Sequence, residues 1–211
     1  MNPRALPSRI GVLFLWLLHW LPLPLQAALG NALGALLWLK PGKRRRVGAR
    51  NLELCFPDAS VWQRRWWLLQ TYCATMRGAL EHGVLWWASD VRLRRIVRFD
   101  NPGAATGDGV RPVIWLAPHF VGLDMGGTRL TMDYHFASLY APAADPVFDR
   151  YMRHGRSRFF PTVLIPKHDG VKPLVRALKA GMPAYYLPDQ DYGRRDAVFA
   201  VPEDGVAGMR A

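Results

Sequence analysis

His119 and Asp124 stand five residues apart in Leu116-Ala117-Pro118-His119-Phe120-Val121-Gly122-Leu123-Asp124, directly behind a short apolar run. Histidine titrates near neutrality, and a carboxylate on one ring nitrogen fixes the tautomer that lets the other take a proton. That is the chemistry of a general base. Geometry limits how the two can meet. In one unbroken helix residues five apart point about 140° away from each other, so contact requires His119 in a strand-to-helix turn and Asp124 in the helix's first turns. Pro118 and Gly122 allow that break. Neither a cysteine nor a G-x-S-x-G elbow accompanies the pair, so a covalent intermediate has no obvious nucleophile and the base would act directly on a substrate hydroxyl. By spacing alone the pair also fits a hydrogen-bonded loop histidine with no catalytic part.

The elements needed to position such a pair are legible around it. Val113 to Ala117 reads as a buried strand, Phe136 to Ala141 as a second, Val163 to Ile165 as a third and Ala184 to Leu187 as a fourth. Helical patterns fill the gaps. The clearest is Val171 to Ala180, where Val171, Leu174, Val175 and Leu178 fall at i, i+3, i+4 and i+7 and Gly181 supplies a C-terminal stop. The alternation predicts an α/β fold with a central mostly parallel or mixed sheet flanked by helices, entered through a Gly-rich turn from Asn101 to Gly109. Asp189 and Asp191 follow the fourth strand, where α/β enzymes place site residues. Capping of the strand end is the plainer role for them, and Asp-x-Asp also suggests a divalent cation.

The chain has 211 residues, within the roughly 250 that a single core can reach, so a multidomain machine is excluded. Half of the residues are hydrophobic, too many for a disordered basic tail. Cys55 and Cys73 could form at most one bridge, which points to a reducing, cytosol-facing location. The net charge of +12 is uneven: +2 over residues 1–39, +8 over 40–100 and +2 over 101–211. A nucleic-acid binder spreads its cations over the folded domain. Here they follow an apolar stretch, which points to a membrane surface and away from nucleic acid.

From Ile10 to Leu39 the strongly polar side chains are His19, Gln26 and Asn31, and Pro22 and Pro24 interrupt the run. Its length suffices for a kinked transmembrane span, while two short interfacial helices are equally compatible. Lys40, Lys43, Arg44, Arg45, Arg46 and Arg50 follow at once, a juxtamembrane cluster of the kind that stays cytoplasmic and attracts anionic lipid. Residues 1–46 are therefore read as a membrane anchor with its basic cluster, and 47–211 as the α/β domain. A cleaved signal peptide fits poorly, because the apolar run is long and no small-x-small site precedes the charges. Further on, Ser60 with Gln63 is a capping-box pattern that opens a helix to about Trp87. The tryptophans at 62, 66, 67, 86 and 87 on it read as core before headgroup anchors.

Pro118 to Asp124, Gly155-Arg156-Ser157-Arg158-Phe159 and Tyr186-Leu187-Pro188-Asp189-Gln190-Asp191-Tyr192-Gly193 occur in this order behind an apolar, then basic, amino terminus. Together they resemble the lipid A biosynthesis lauroyl/myristoyl acyltransferases, a branch of the lysophospholipid acyltransferase superfamily, from about Ser8 to Val201. The resemblance implies a membrane-anchored α/β enzyme at the cytoplasmic face of the inner membrane. Such an enzyme moves a fatty acyl group from acyl carrier protein to a hydroxyl of a lipid A precursor, with no cofactor and no metal. It makes His119 the base and Asp124 its partner, in a place where the family more often has the longer Glu. It makes Arg156, with Arg158 in the same motif, substrate-binding, Arg156 on the thioester oxyanion or a lipid phosphate, and it gives Asp189 and Asp191 a site role.

The glycerol-phosphate branch of the superfamily also uses His-x4-Asp, but Pro202-Glu203-Asp204-Gly205 departs from its Pro-Glu-Gly-Thr block. Another envelope lipid as acceptor, or a non-catalytic membrane-bound remnant, are the other readings. Family members continue beyond the residue matching Val201, whereas Pro202 to Ala211 reads as an unrelated polar end. The expectation is therefore a sheet incomplete at its C-terminal end and weak or absent turnover.

Overall fold

The computed structural model describes residues 6–100 and 112–189. The Asn101–Gly109 turn, Asp191 and the Pro202–Ala211 end lie outside the described residues. The chain forms two compact units, residues 1–88 and 89–211, so this division by contact falls beyond the anchor boundary drawn at residue 46.

The first unit is helical: α1 (Leu6–Leu18), α2 (Leu23–Leu39), α3 (Lys43–Cys55) and α4 (Val61–Trp87). Pro22 and Pro24 divide the apolar run, since proline is tolerated in the first turn of a helix but not in its interior. The run thus forms two short helices, one of the two arrangements its sequence allows. The two pieces have 13 and 17 residues, short of the about 20 needed for the hydrocarbon layer. No helix among the described residues is long and apolar enough to cross a membrane.

Where the run breaks, Gln26 ties the end of α1 to the start of α2. Its Nε2 donates to the oxygens of Leu18 (3.0 Å) and Leu21 (2.9 Å) from a side chain that is 1% exposed. Leaving such groups unpaired in the interior costs about 1–3 kcal/mol each. Gly30 and Gly34, one turn apart, then let α2 approach α4. A Cβ on Gly34 would stand 2.5 Å from Cys73 Cα, and one on Gly30 would stand 2.7 Å from Arg77 Cγ. Cys73 is buried against this seam and Cys55 is exposed; both are free thiols.

Helix α4 begins as the sequence predicts. Ser60 Oγ accepts from Gln63 N–H (3.2 Å), Gln63 Oε1 accepts from Ser60 N–H (2.8 Å), and the helix runs to Trp87. Its tryptophans divide: Trp86 is buried, Trp62 is 76% exposed, and Trp66 and Trp67 also face solvent. The expectation of core holds at the C-terminal end of the helix and fails in its first two turns.

The second unit is α/β: α5 (Asp90–Ile96), β1 (Ile114–Leu116), α6 (Leu123–Leu130), β2 (Ala137–Tyr140), α7 (Pro146–Ser157), β3 (Val163–Pro166), α8 (Lys172–Lys179) and β4 (Ala184–Tyr186). All four predicted strands form, and they pair in parallel in the order β1-β4-β2-β3. Successive side chains point to opposite faces of a sheet. One face therefore presents Ala137, Ile165 and Ala184, which pack with Leu174, Ala177 and Leu178 of α8 into the core. The other presents Ser138, Tyr140, Leu164 and Tyr185 toward α6 and α7. This split follows from right-handed crossovers: two connections move one way along the sheet and the third returns. Gly181, at φ 83°, ends α8 in the left-handed region that favours glycine.

The end of α6 is pinned by Asp133, which accepts from Arg94 (2.7 Å) and from Arg129. Burial pushes the Asp133 carboxyl up, but the hydrogen bonds from Arg129 and Arg94 outweigh it and hold the group below its ordinary value.

Candidate functional site

β1 and β4 are neighbours, with Leu116 opposite Tyr186, and Ala117 N–H donates to Tyr186 O at 2.9 Å. Each strand is followed at the same offset by a proline, Pro118 and Pro188, which has no N–H to continue the ladder. One residue later come His119 and Asp189. Equal steps from paired positions on parallel neighbours bring these two side by side at the C-terminal end of the sheet, where open α/β sheets place their sites.

Their contact is double. Asp189 Oδ1 lies 2.6 Å from His119 Nδ1, and Asp189 Oδ2 accepts the His119 backbone N–H at 2.6 Å. Both side chains keep more than a third of their surface exposed, 38% and 37%. The hydrogen bond from the imidazole, then that from the His119 amide, holds the Asp189 carboxyl below its ordinary range against a small opposing effect of burial. An ionised carboxylate only accepts, so the ring nitrogen facing it carries a proton. In neutral imidazole the lone pair then resides on Nε2.

Asp124 is in the first turn of α6, where a negative charge is favoured by the helix dipole. Its Oδ1 accepts from Arg156 Nε (3.1 Å) and Nη2 (2.8 Å). Arg156 reaches it from the last turn of α7, on the same face of the sheet. The structure gives His119 a contact with Asp189, and Asp124 one with Arg156. The reason is strand order. A helix-borne carboxylate is aimed by its helix toward α7, while β4 runs beside β1. Arg158 caps the C-terminus of α7 and lies over the Phe159 ring, 4.4 Å from its centroid; burial lowers its pKa, with Asp90 opposing.

Beneath the Asp124–Arg156 pair is a cavity of about 70 Å³ between α6, α7 and the sheet, lined among others by Leu123, Gly127, Tyr140, Leu164 and Tyr185. Sequence reasoning missed Tyr185. Its hydroxyl donates to Leu123 O at 3.3 Å and so ties β4 to the start of α6. Burial, then the nearby Asp124 charge, pushes its pKa up to about 12, with Arg156 opposing. Its position two residues before the Leu187-Pro188-Asp189 turn, on the face opposite Ala184, was the available signal. Among the described residues no group of three or more His, Cys, Asp or Glu is placed to hold a metal ion.

The profile of the family described as bacterial lipid A biosynthesis acyltransferase matches residues 2–202. The chain belongs to that family. It is 31% identical over 202 residues to the lipid A biosynthesis lauroyltransferase of Escherichia coli K12, covering 94% of this chain and 65% of the relative. Its identity to the palmitoleoyltransferase of the same organism is 29% over 203 residues, 95% of this chain and 65% of that protein. To the E. coli myristoyltransferase it is 29% over 182 residues, 83% and 54% respectively. This lipid A acyltransferase family member thus spans about 65% of the length of the first two relatives. The matched region contains every candidate site residue from His119 to Asp191.

Proposed function

We propose that this chain carries the acyl-transfer site of a lipid A acyltransferase. It would move a fatty acyl group from acyl carrier protein to a hydroxyl of a lipid A precursor without a covalent enzyme intermediate. His119 Nε2 takes the hydroxyl proton as the oxygen attacks the thioester carbonyl; the C–O bond forms, the C–S bond breaks, and the proton passes to the departing thiolate. Arg156 serves the developing oxyanion or a lipid phosphate. A guanidinium has five N–H donors, and the two given to Asp124 orient the rest. Asp191, in the same sequence motif as Asp189, is assigned to substrate binding.

The observation that carries this reading is the carboxylate-held imidazole at the C-terminal end of a parallel sheet, in a chain of this family. A base on a substrate hydroxyl is what direct O-acylation requires, and such a base contributes about 10²- to 10⁴-fold.

The acceptor is a lipid, and the first unit has the surface to meet one at the cytoplasmic face of the inner membrane. Ile10, Leu13 and Leu17 of α1, Trp20 just after it, and Leu36 and Leu39 of α2 are exposed apolar side chains. Lys43, Arg44, Arg46 and Arg50 are exposed cations on α3, the next helix. Two short helices with exposed apolar residues followed by cations suit the headgroup boundary of an anionic bilayer. His119→Ala is expected to abolish transfer of acyl groups from acyl carrier protein to lipid A precursor, read by mass spectrometry, and to leave flotation with anionic vesicles unchanged. Near-normal transfer by that variant would remove the mechanism.

A further inference from the structure

We propose that the turn between α3 and α4 is a headgroup-level membrane anchor. Trp62 and Trp66 seat their indoles at the boundary of an anionic bilayer, and Arg46 and Arg65 meet its lipid phosphates. The proposal shares with the reading above only the lipid nature of the acceptor; nothing in it depends on catalysis.

Large apolar side chains gather on this turn without burial. Leu54, Phe56, Val61, Trp62 and Trp66 are all exposed, Trp62 by 76% and Trp66 by 58%. The two tryptophans are four residues apart, so both stand on one face of α4. The turn that carries them is fastened. Arg64 Nη1 donates to the oxygens of Phe56 (3.1 Å), Pro57 (3.1 Å) and Ala59 (2.6 Å), and the Phe56 ring meets that of Trp67 edge-on at 5.1 Å. With the Ser60–Gln63 capping box, these contacts hold the indoles out at the surface.

Charge and position select an acidic lipid surface as the occupant. From Lys43 to Trp67 seven basic residues stand against two acidic ones, Glu53 and Asp58. Arg46, Arg50, Arg64 and Arg65 line one groove between α3 and α4, where Glu53 is paired with Arg50 at 2.7 Å. Arg65 also lies over the Trp62 ring, 5.3 Å from its centroid, so cation and indole share one spot. An indole has an apolar body and a donor N–H, which suits the carbonyl and phosphate layer better than the hydrocarbon, and guanidinium binds phosphate. The α2–α4 seam sets the level. Gly30 faces Arg77 and Gly34 faces Cys73, so the two helices run antiparallel. Leu39 lies five residues past Gly34 and Trp66 seven before Cys73, about 7.5 Å and 10.5 Å along the axes in the same direction. The exposed leucines of α2 and the indoles of α4 thus reach the same end of the unit and form one continuous surface.

The test uses the full chain with vesicles of phosphatidylglycerol and phosphatidylethanolamine. Its tryptophans carry a fluorine label, and the Trp62 and Trp66 resonances are assigned with Trp62→Phe and Trp66→Phe. On vesicle binding, lipid bearing a headgroup nitroxide should broaden both resonances, and a water-soluble paramagnetic chelate should broaden them less than before; buried Trp86 should respond to neither. The double variant Trp62→Ala, Trp66→Ala should bind these vesicles about tenfold more weakly with its denaturant midpoint unchanged. Arg65→Gln should weaken binding about fivefold here and leave binding to phosphatidylcholine vesicles as it was. The fluorine measurement on the unsubstituted chain decides the matter even where a variant fails to fold. Indoles that stay open to the chelate in the vesicle-bound chain, or a folded double variant that binds as well as the original, overturn the anchor and leave the α1–α2 surface standing. Protection of both indoles before vesicles are added, with a doubled mass in solution, also overturns it and makes the face an interface between copies. So does a chain that binds no vesicles. Acyl transfer to detergent-dispersed acceptor is read separately, and its absence counts against the transfer reading and not against the anchor.

Discussion

Residues 1–88 are built by helices whose ends and seams are written in short stretches of sequence, whereas in residues 89–211 the decisive contacts join positions far apart in the chain. In the first unit a capping box starts α4, two prolines divide α1 from α2, and glycines one turn apart set the approach of α2 to α4. In the second unit His119 and Asp189 are 70 residues apart, and Asp124 and Arg156 are 32 apart. The first arrangement makes a surface; the second makes a site. A surface tolerates local variation, because each exposed apolar or cationic residue adds its own increment. A site whose parts come from several loops and helices depends on the order of the strands beneath it.

That contrast can be sharpened by the size of mutational effects. The largest expected from the first unit is electrostatic. Neutralising Lys43, Arg44 and Arg46 to Gln removes three cations at about 1 kcal/mol each near an anionic surface. Partition onto vesicles containing acidic lipid should fall roughly a hundredfold, with little change onto neutral vesicles. Equal loss on both would show that the cations act on folding and not on lipid.

Next in size is the α2–α4 seam. Gly34→Ala should destabilise by about 1–3 kcal/mol, since the new methyl group meets Cys73 backbone. Gly11→Ala, in α1 with nothing within 4 Å of its added Cβ, should stabilise by about 0.5–1 kcal/mol. Denaturant midpoints of the two variants check this. Similar shifts for both would mean the seam is not closely packed.

The smallest effect concerns the site itself. Asp189 has a depressed pKa in the folded chain, so its contribution to stability is present above the unfolded aspartate value of about 3.9 and is lost as pH falls through the lower folded value. Carboxyl-carbon NMR should find Asp189 still ionised at a pH where an unpaired aspartate is half protonated. Protonation at the ordinary value would show that the His119 contact does not persist in solution.

Much of the fold is legible in the sequence for a physical reason. Helix starts and strand runs are local, so Ser60 with Gln63, the four apolar runs and the Gly181 stop all appear in the structure near where their patterns place them. His119 in a turn and Asp124 at the start of a helix are legible too. Strand order is not. Nothing in β1 or β4 states that they will be neighbours, and without that the match of Pro118-His119 to Pro188-Asp189 carries no contact. Exposure also depends on what packs outside an element, which is why Trp62 and Trp86, alike in type and helix, part company. The apolar character of the run from Ile10 to Leu39 is plain from composition, while its division into helices of 13 and 17 residues turns on two prolines.

The proposed proton transfer would draw on the contact between His119 and Asp189. The most direct measurement is a double-mutant cycle of kcat/KM for acyl transfer with His119→Ala, Asp189→Asn and the two combined. Without the imidazole there is nothing for Asp189 to orient, so the combined variant should be no slower than His119→Ala alone. If the two losses multiply instead, Asp189 works independently of the histidine and the pairing is not the basis of the chemistry.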